Sequence, residues 1–198
     1  MSNQKKLKVS TLLILFSLML AGCEFRKTLP SCGGFLKEKI QTRFLIKEDS
    51  PVAFDRLTNI KWYRCSAGEV LVENQCVGDA LKLNWLEAQS YAREFSESSG
   101  ENWKVAQYWQ LRELQRDDCI SPALDTRVFP NLEISHYWSR DEHIFSDRIA
   151  CSMYTYKGQG YCWQRKKSEL PFLLVSDENA KQITLLGRIN RMLIDFFN

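Results

Sequence analysis

Seven cysteines punctuate this 198-residue chain, and the setting of the first decides what the other six can become. Cys23 closes the stretch LMLAGC. Before it stand Lys5, Lys6 and Lys8, then the apolar run VSTLLILFSLMLA, then Gly22. A helix needs roughly 20 apolar residues to cross a bilayer core. The run from Val9 to Ala21 is shorter, and it carries Ser10, Thr11 and Ser17. A basic start, a short apolar core and small residues before a cut point are the pattern of a secretory leader. Such a leader delivers the rest of the chain to a compartment in which thiols oxidise.

Cys32, Cys65, Cys76, Cys119, Cys151 and Cys162 then remain beside Cys23. An even number in an exported chain points to a disulfide framework, and no CxxC suggests a zinc ribbon or a thioredoxin-like redox pair. Sequence alone does not choose among the connectivities that six cysteines allow. Cys65 to Cys76 and Cys151 to Cys162 share one spacing, so the expectation falls on two small loop staples, each worth roughly 3 kcal/mol if it acts by limiting the unfolded chain. Cys32 to Cys119 would then tie the segment behind the leader to the domain.

The leader also explains the charge. The precursor has 27 lysines and arginines against 24 acidic residues, and removal of Lys5, Lys6 and Lys8 makes the two counts equal. A neutral chain lacks the basic footprint of a nucleic-acid binder, so no nucleic acid is expected as partner. Arg165-Lys166-Lys167 is the longest basic run, and so short a run is ordinarily a solvated turn.

Leu20-Ala21-Gly22-Cys23 resembles the lipobox of bacterial lipoproteins. That resemblance implies thioether diacylation of Cys23, cleavage in front of it and acylation of the new amine. Several acyl chains, at about 0.8 kcal/mol per buried methylene, anchor a protein without a spanning helix. Glu24 follows Cys23. The strongest inner-membrane retention signal has Asp at that position, so the expected destination is the outer membrane, with the face it presents left open.

Behind the anchor, residues 23–41 are mixed polar with Pro30 and Gly33-Gly34, and read as a tether with little regular structure. From Thr42 to Arg64 the stretches RFLI, VAF and IKWY alternate with turn-forming residues, as short strands do. The Cys65–Cys76 segment reads as a loop or tight hairpin. NWLEAQSYAREFSESSG predicts a helix: Asn84 is an N-cap, Glu87 completes a capping box, and Trp85, Ala88, Tyr91, Ala92 and Phe95 share a face. A shorter helix is expected over Tyr108–Arg116 with Leu111 and Leu114 inward. Residues 119–135 look irregular, and aromatic-rich strands follow to about Ser176. Residues 178–198 place Ile183, Leu186, Ile189, Leu193 and Phe196 at near-helical spacing, interrupted by Gly187. They read as a terminal helix packed on the domain, with a membrane-surface or partner-binding helix as the alternative.

Arg43-Phe44, Phe54-Asp55, Thr58, Trp62, Arg64-Cys65, Gly68, Cys76, Gly78, Trp85, Glu87-Ala88, Trp103, Leu111 and Leu114 stand in a characteristic order. SPALDTRVFPNLEISHYWS closes the set. Residues 42–177 thereby resemble the Lcl C-terminal-like domain family, named for the end of a bacterial collagen-like adhesin. The resemblance implies an α+β, C-type lectin-like domain: two helices, small and mostly antiparallel sheets, long irregular loops, and here disulfide staples. It also implies an envelope location. In the adhesin the domain is linked to binding of sulfated glycosaminoglycans. The family's W-R-L-P-T/S is replaced by Trp103-Lys104-Val105-Ala106-Gln107, which removes the proline and hydroxyl that would start the second helix. Cys151, Cys162 and the tail are further departures.

The candidate ligand residues are those of CSMYTYKGQGYCWQRKK. Tyr154, Tyr156, Tyr161 and Trp163 alternate with polar residues, and Lys157, Arg165 and Lys166 lie among them, with Gly158 and Gly160 expected to form the turn. Rings stack on sugar faces, and Arg or Lys pairs with sulfate or carboxylate. The bland reading is an aromatic hairpin with one face in the core. Asp125-Thr126 and Phe129-Pro130-Asn131 read as turn-forming residues, and Tyr137-Trp138-Ser139 as a core strand. No Glu-Pro-Asn, Gln-Pro-Asp or Trp-Asn-Asp motif of calcium-dependent lectins occurs, and Asp117-Asp118 falls short of the six to eight oxygens calcium takes. No cofactor or metal is expected. His136 and His143 have no evident ligand pattern, and G-x-S-x-G, H-E-x-x-H and a phosphate loop are absent from the sequence. The sequence therefore points to a lipid-anchored, non-enzymatic binding module for sulfated or acidic glycans. The alternative is a periplasm-facing lipoprotein that binds an envelope protein, of the kind that confers immunity.

Overall fold

A computed structural model describes residues 28–36 and 42–178. The leader, Cys23 and the apolar positions of the tail lie outside the described residues. In chain order the elements are α1 (Cys32–Phe35), β1 (Phe44–Ile46), β2 (Val52–Asp55), β3 (Ile60–Tyr63), β4 (Val70–Val72), β5 (Gln75–Val77), α2 (Trp85–Ser99), β6 (Lys104–Val105), α3 (Tyr108–Leu114), β7 (His136–His143), β8 (Ser146–Tyr154), β9 (Gln159–Arg165) and β10 (Leu174–Ser176). They form a five-stranded sheet, β1-β2-β3-β10-β6, the hairpin β4-β5, and a three-stranded sheet, β7-β8-β9. Neighbouring strands in all three run antiparallel. This is the expected disulfide-stapled α+β arrangement. β10, from near the end of the domain, inserts between β3 and β6, so the five-stranded sheet joins the two ends of the domain.

Local chemistry accounts for the two longer helices. Asn84 Oδ1 accepts from the Leu86 and Glu87 amides, and Glu87 Oε2 accepts from the Asn84 amide, closing the capping box of α2. Gly100 ends that helix at φ 70°, a conformation glycine takes without steric cost. At α3 the missing proline and hydroxyl are replaced from within. Gln110 Oε1 accepts from the Gln107 amide at 2.6 Å, and Gln107 Oε1 accepts from Trp109 Nε1 at 2.6 Å. α1 is a helical turn inside the segment expected to be an irregular tether. It docks because Cys32 and Leu36 bury against Cys119, and Ser31 bridges Ile120.

The core has two parts. In one, Trp62, Leu111, Leu114, Leu124, Phe129, Tyr137, Met153 and Val175 fill the space between the five-stranded sheet, α3 and β7-β8. Phe129 meets Trp62 and Phe44 edge to face, with ring centres 5.8 and 6.2 Å apart. In the other, Trp85, Ala88 and Ala92 bring α2 against Trp103, Trp138, Phe172 and Leu174. Tyr137, Trp138 and Ser139 are all buried, as a core strand requires.

Buried polar groups pin the loops. Asp55 accepts from Arg43 Nε and Nη2 at 2.9 and 2.5 Å, from Thr58 Oγ1 at 2.6 Å and from the Leu57 amide. Burial alone would raise its carboxyl, but these donors, Arg43 first among them, hold it below its ordinary value. Arg64 is buried with carbonyl partners: Nε donates to Val128 O, Nη1 to Ser50 O and Asn74 Oδ1, and Nη2 to Arg127 O. Disulfides join Cys32–Cys119, Cys65–Cys76 and Cys151–Cys162. The first ties α1 to the irregular segment, the second ties the end of β3 to β5, and the third crosses from β8 to β9.

Candidate functional site

The stretch singled out in the sequence is the hairpin β8-β9. Tyr154 ends β8, Gln159 begins β9, and the turn between them passes through Gly158 at φ 65°. Neighbouring loops hold this turn in place. Arg112 Nη1 donates to Gly158 O at 2.5 Å, the Ser121 amide donates to Tyr156 O at 2.9 Å, and buried Thr155 Oγ1 donates to Glu133 O at 2.8 Å. Gly160 was expected in the turn but lies within β9. A Cβ there would stand 1.7 Å from the hydroxyl oxygen of Tyr108, so this glycine lets the α3 tyrosine close onto the strand.

Between these elements lies a cavity of about 590 Å³, lined by Tyr108 and Arg112 of α3, His136 of β7, Tyr154 of β8, and Gln159, Gly160 and Tyr161 of β9. The His136 ring stacks on Tyr154 with centres 4.9 Å apart and meets Tyr161 at 5.6 Å. Its Nδ1 lies 3.1 Å from Ser152 Oγ, which fixes the ring plane. Burial holds the imidazole below its ordinary pKa, so it is neutral at pH 7. Three phenols, one neutral imidazole, one amide and one guanidinium therefore face a common space. They offer flat apolar faces, hydroxyl and amide partners, and a single fixed cation. Such a set suits binding of a polar ring compound.

The sequence candidates divide. Tyr154 and Tyr161 line the cavity. Tyr156 packs beside Tyr154 at 6.2 Å but does not line it. Lys157 is exposed on the turn, and Arg165 is exposed at the far end of β9. Trp163 is also exposed, with its ring 4.6 Å from His143. Lys166 turns to the other side: its Nζ donates to Glu142 Oε2 at 2.7 Å and lies 4.3 Å above the Trp85 ring. It braces the sheet and does not reach the cavity. Tyr108, Arg112 and His136 were not among the residues the sequence singled out for a site, and Gln159 lies in the quoted stretch without having been picked from it. No local pattern marks the first three, because α3 and β7 bring them to the hairpin across long stretches of chain. Asp125 accepts from the Arg127 amide and pairs with its guanidinium, the turn role expected of it. Among the described residues, no three His, Cys, Asp or Glu side chains gather as a metal site.

The Lcl C-terminal domain family matches residues 52–176, more than half of the chain. The crystal structure of ovocleidin-17, a major protein of the Gallus gallus eggshell calcified layer, is similar at 12% identity over 57% of this chain and 99% of its own, with a TM-score of 0.27. No curated protein matches the chain.

Proposed function

Since this chain belongs to the Lcl C-terminal domain family, whose implied fold class is C-type lectin-like, we propose that it is a non-enzymatic binding module whose ligand is a sulfated or acidic glycan. The observation that supports this reading is the cavity of about 590 Å³ between α3, β7 and the β8-β9 hairpin. Sugar rings present flat C–H faces, which tyrosine rings cover, and hydroxyls, which phenols and the Gln159 amide satisfy. Arg112 keeps donors beyond the one committed to Gly158 O, and these pair with a carboxylate or sulfate. The chain is proposed to be lipid-anchored through Cys23 in the outer membrane, where such a module meets its ligand.

A glycan array probed with the mature chain, followed by titration of the best ligand across salt concentration, tests this. Binding should weaken as salt rises, and Tyr161→Ala and Tyr154→Ala should each lower affinity. Lys157→Glu with Arg165→Glu separates the cavity from the basic edge: an unchanged affinity assigns binding to the cavity. No glycan binding at low salt refutes the reading. Labelling with a fatty acid analogue, lost in Cys23→Ser, tests the anchor. Protease on intact cells, against a periplasmic control, tests the face. Protection of the domain on intact cells sinks the adhesin role and leaves a periplasmic protein partner.

A further inference from the structure

The end of the three-stranded sheet opposite the β8-β9 turn carries a feature that the cavity does not use. The β7-β8 hairpin closes at the pair His143–Ser146, leaving Ile144 and Phe145 at its apex. Each is 84% exposed. Single exposed apolar residues are normal, but two adjacent ones at an apex are not alone here. The His143 ring lies 5.9 Å from Phe145 and 4.6 Å from Trp163, itself 63% exposed. The Phe145 amide donates to His143 Nδ1 at 3.2 Å. Along the strands between the apex and Trp163 stand the exposed cations Arg148 and Arg165, with exposed Lys167 just beyond β9; the exposed acids are Asp147 and Glu169, while Glu142 is paired with Lys166.

We propose that this apex is a membrane-contact site, with Ile144 and Phe145 entering the acyl boundary of an anionic bilayer and Trp163 and His143 at headgroup level. The kinds of side chain that a lipid interface takes stand together at this end of the sheet: an aliphatic and a phenyl group at the apex, an indole and an imidazole against them, and guanidinium groups on the neighbouring strand ends. The two apolar side chains project from the apex, each 84% exposed, and a bilayer requires no complementary pocket. The cations near the apex complement lipid phosphates, which is why the surface assigned is anionic. The hairpin is also held ready. The Lys166 amide donates to Arg148 O at 3.0 Å, Lys166 Nζ pairs with Glu142, and Cys151–Cys162 crosses the sheet behind. Little ordering cost remains for binding.

The test uses the mature chain with Cys23→Ser, so that no acyl group contributes, and vesicles of phosphatidylethanolamine with phosphatidylglycerol. The chain should float with these vesicles and less with phosphatidylcholine alone. Ile144→Ser with Phe145→Ser should lower partition by about tenfold or more, as loss of two apolar insertions requires. Both side chains are exposed, so near-ultraviolet circular dichroism should be unchanged in the double variant. Binding should shift tryptophan emission to the blue, and Trp163→Phe should remove that shift. Equal flotation of the double variant assigns binding to another part of the chain, such as residues 179–198, and overturns the proposal. Failure of the parent chain to float overturns it too and leaves a protein as the occupant of the apex. Equal partition onto phosphatidylcholine overturns the assignment to an anionic surface.

Discussion

Gly160→Ala is the sharpest test of how the cavity is built. The added Cβ would stand 1.7 Å from Tyr108 Oη, 2.4 Å from Cζ and 2.5 Å from Cε2. Non-bonded carbon contacts settle near about 3.5–4.0 Å, so the phenol must retreat by roughly 1.5–2 Å. Forcing a side chain aside in this way costs about 1–3 kcal/mol. In a chain of this size that lowers the melting temperature by roughly 2–10 °C. The same substitution should change sign when Tyr108 is removed. Gly160 lies in a strand with no left-handed backbone requirement. There alanine normally stabilises by about 0.5–1 kcal/mol, by reducing unfolded-chain freedom. The four chains of the cycle (parent, Gly160→Ala, Tyr108→Ala and both) should therefore show a coupling of roughly 1.5–4 kcal/mol. Guanidinium unfolding under oxidising conditions, with all disulfides intact, measures it. An equal penalty for Gly160→Ala with and without Tyr108 would refute the claimed contact and the cavity wall built on it. Gly160→Ala should also weaken glycan binding, because the displaced ring is a lining residue.

Other outcomes follow from named contacts. Asp55 is held below its ordinary pKa of 3.8 by Arg43, Thr58 and the Leu57 amide against the cost of burial, and Asp177 is likewise held down by Arg140, Gln110 and Lys104. A depressed carboxylate stabilises the fold fully above the unfolded value and loses that contribution as pH falls through the folded one. Acid unfolding should therefore begin below about pH 4, and Asp55→Asn should destabilise at pH 7 while flattening this acid limb. Arg64→Leu leaves the Val128, Arg127 and Ser50 carbonyls without their buried donor and should cost about 2–4 kcal/mol by denaturant titration, more than Arg64→Lys. Tyr161→Ala, at a residue 45% exposed, should leave the melting temperature within about 2 °C of the parent while reducing ligand affinity. Removing Cys65–Cys76 as a double alanine variant should cost about 2–4 kcal/mol.

Much of the fold is written locally. The capping box at Asn84 and Glu87, the alanine face of α2 and the alternating stretches of β1 to β3 each depend on neighbours within a few residues, so the sequence carries them. Equal spacing pointed to the two short disulfides for the same reason, since nearby cysteines meet easily. The turn roles of Asp125 and the core role of Tyr137-Trp138 were also legible. α1 was not, because a four-residue helical turn has no periodicity and exists only through its packing on Cys119.

The cavity belongs to the other category. Tyr154 and Tyr161 are visible as alternating rings in one hairpin, but Tyr108, Arg112 and His136 join them only when α3 and β7 pack on that hairpin. Composition suggested a basic and aromatic stripe from Tyr154 to Lys166. Tertiary structure split it into a cavity at one end, an exposed apex at the other and Lys166 turned against Trp85. The sequence by itself determined the disulfide framework and the identities of the longer helices and of the first strands, because these rest on short-range chemistry. Only the packing of distant elements decided which rings share a space, since side-chain direction relative to another element is set by long-range burial and not by neighbours in the chain.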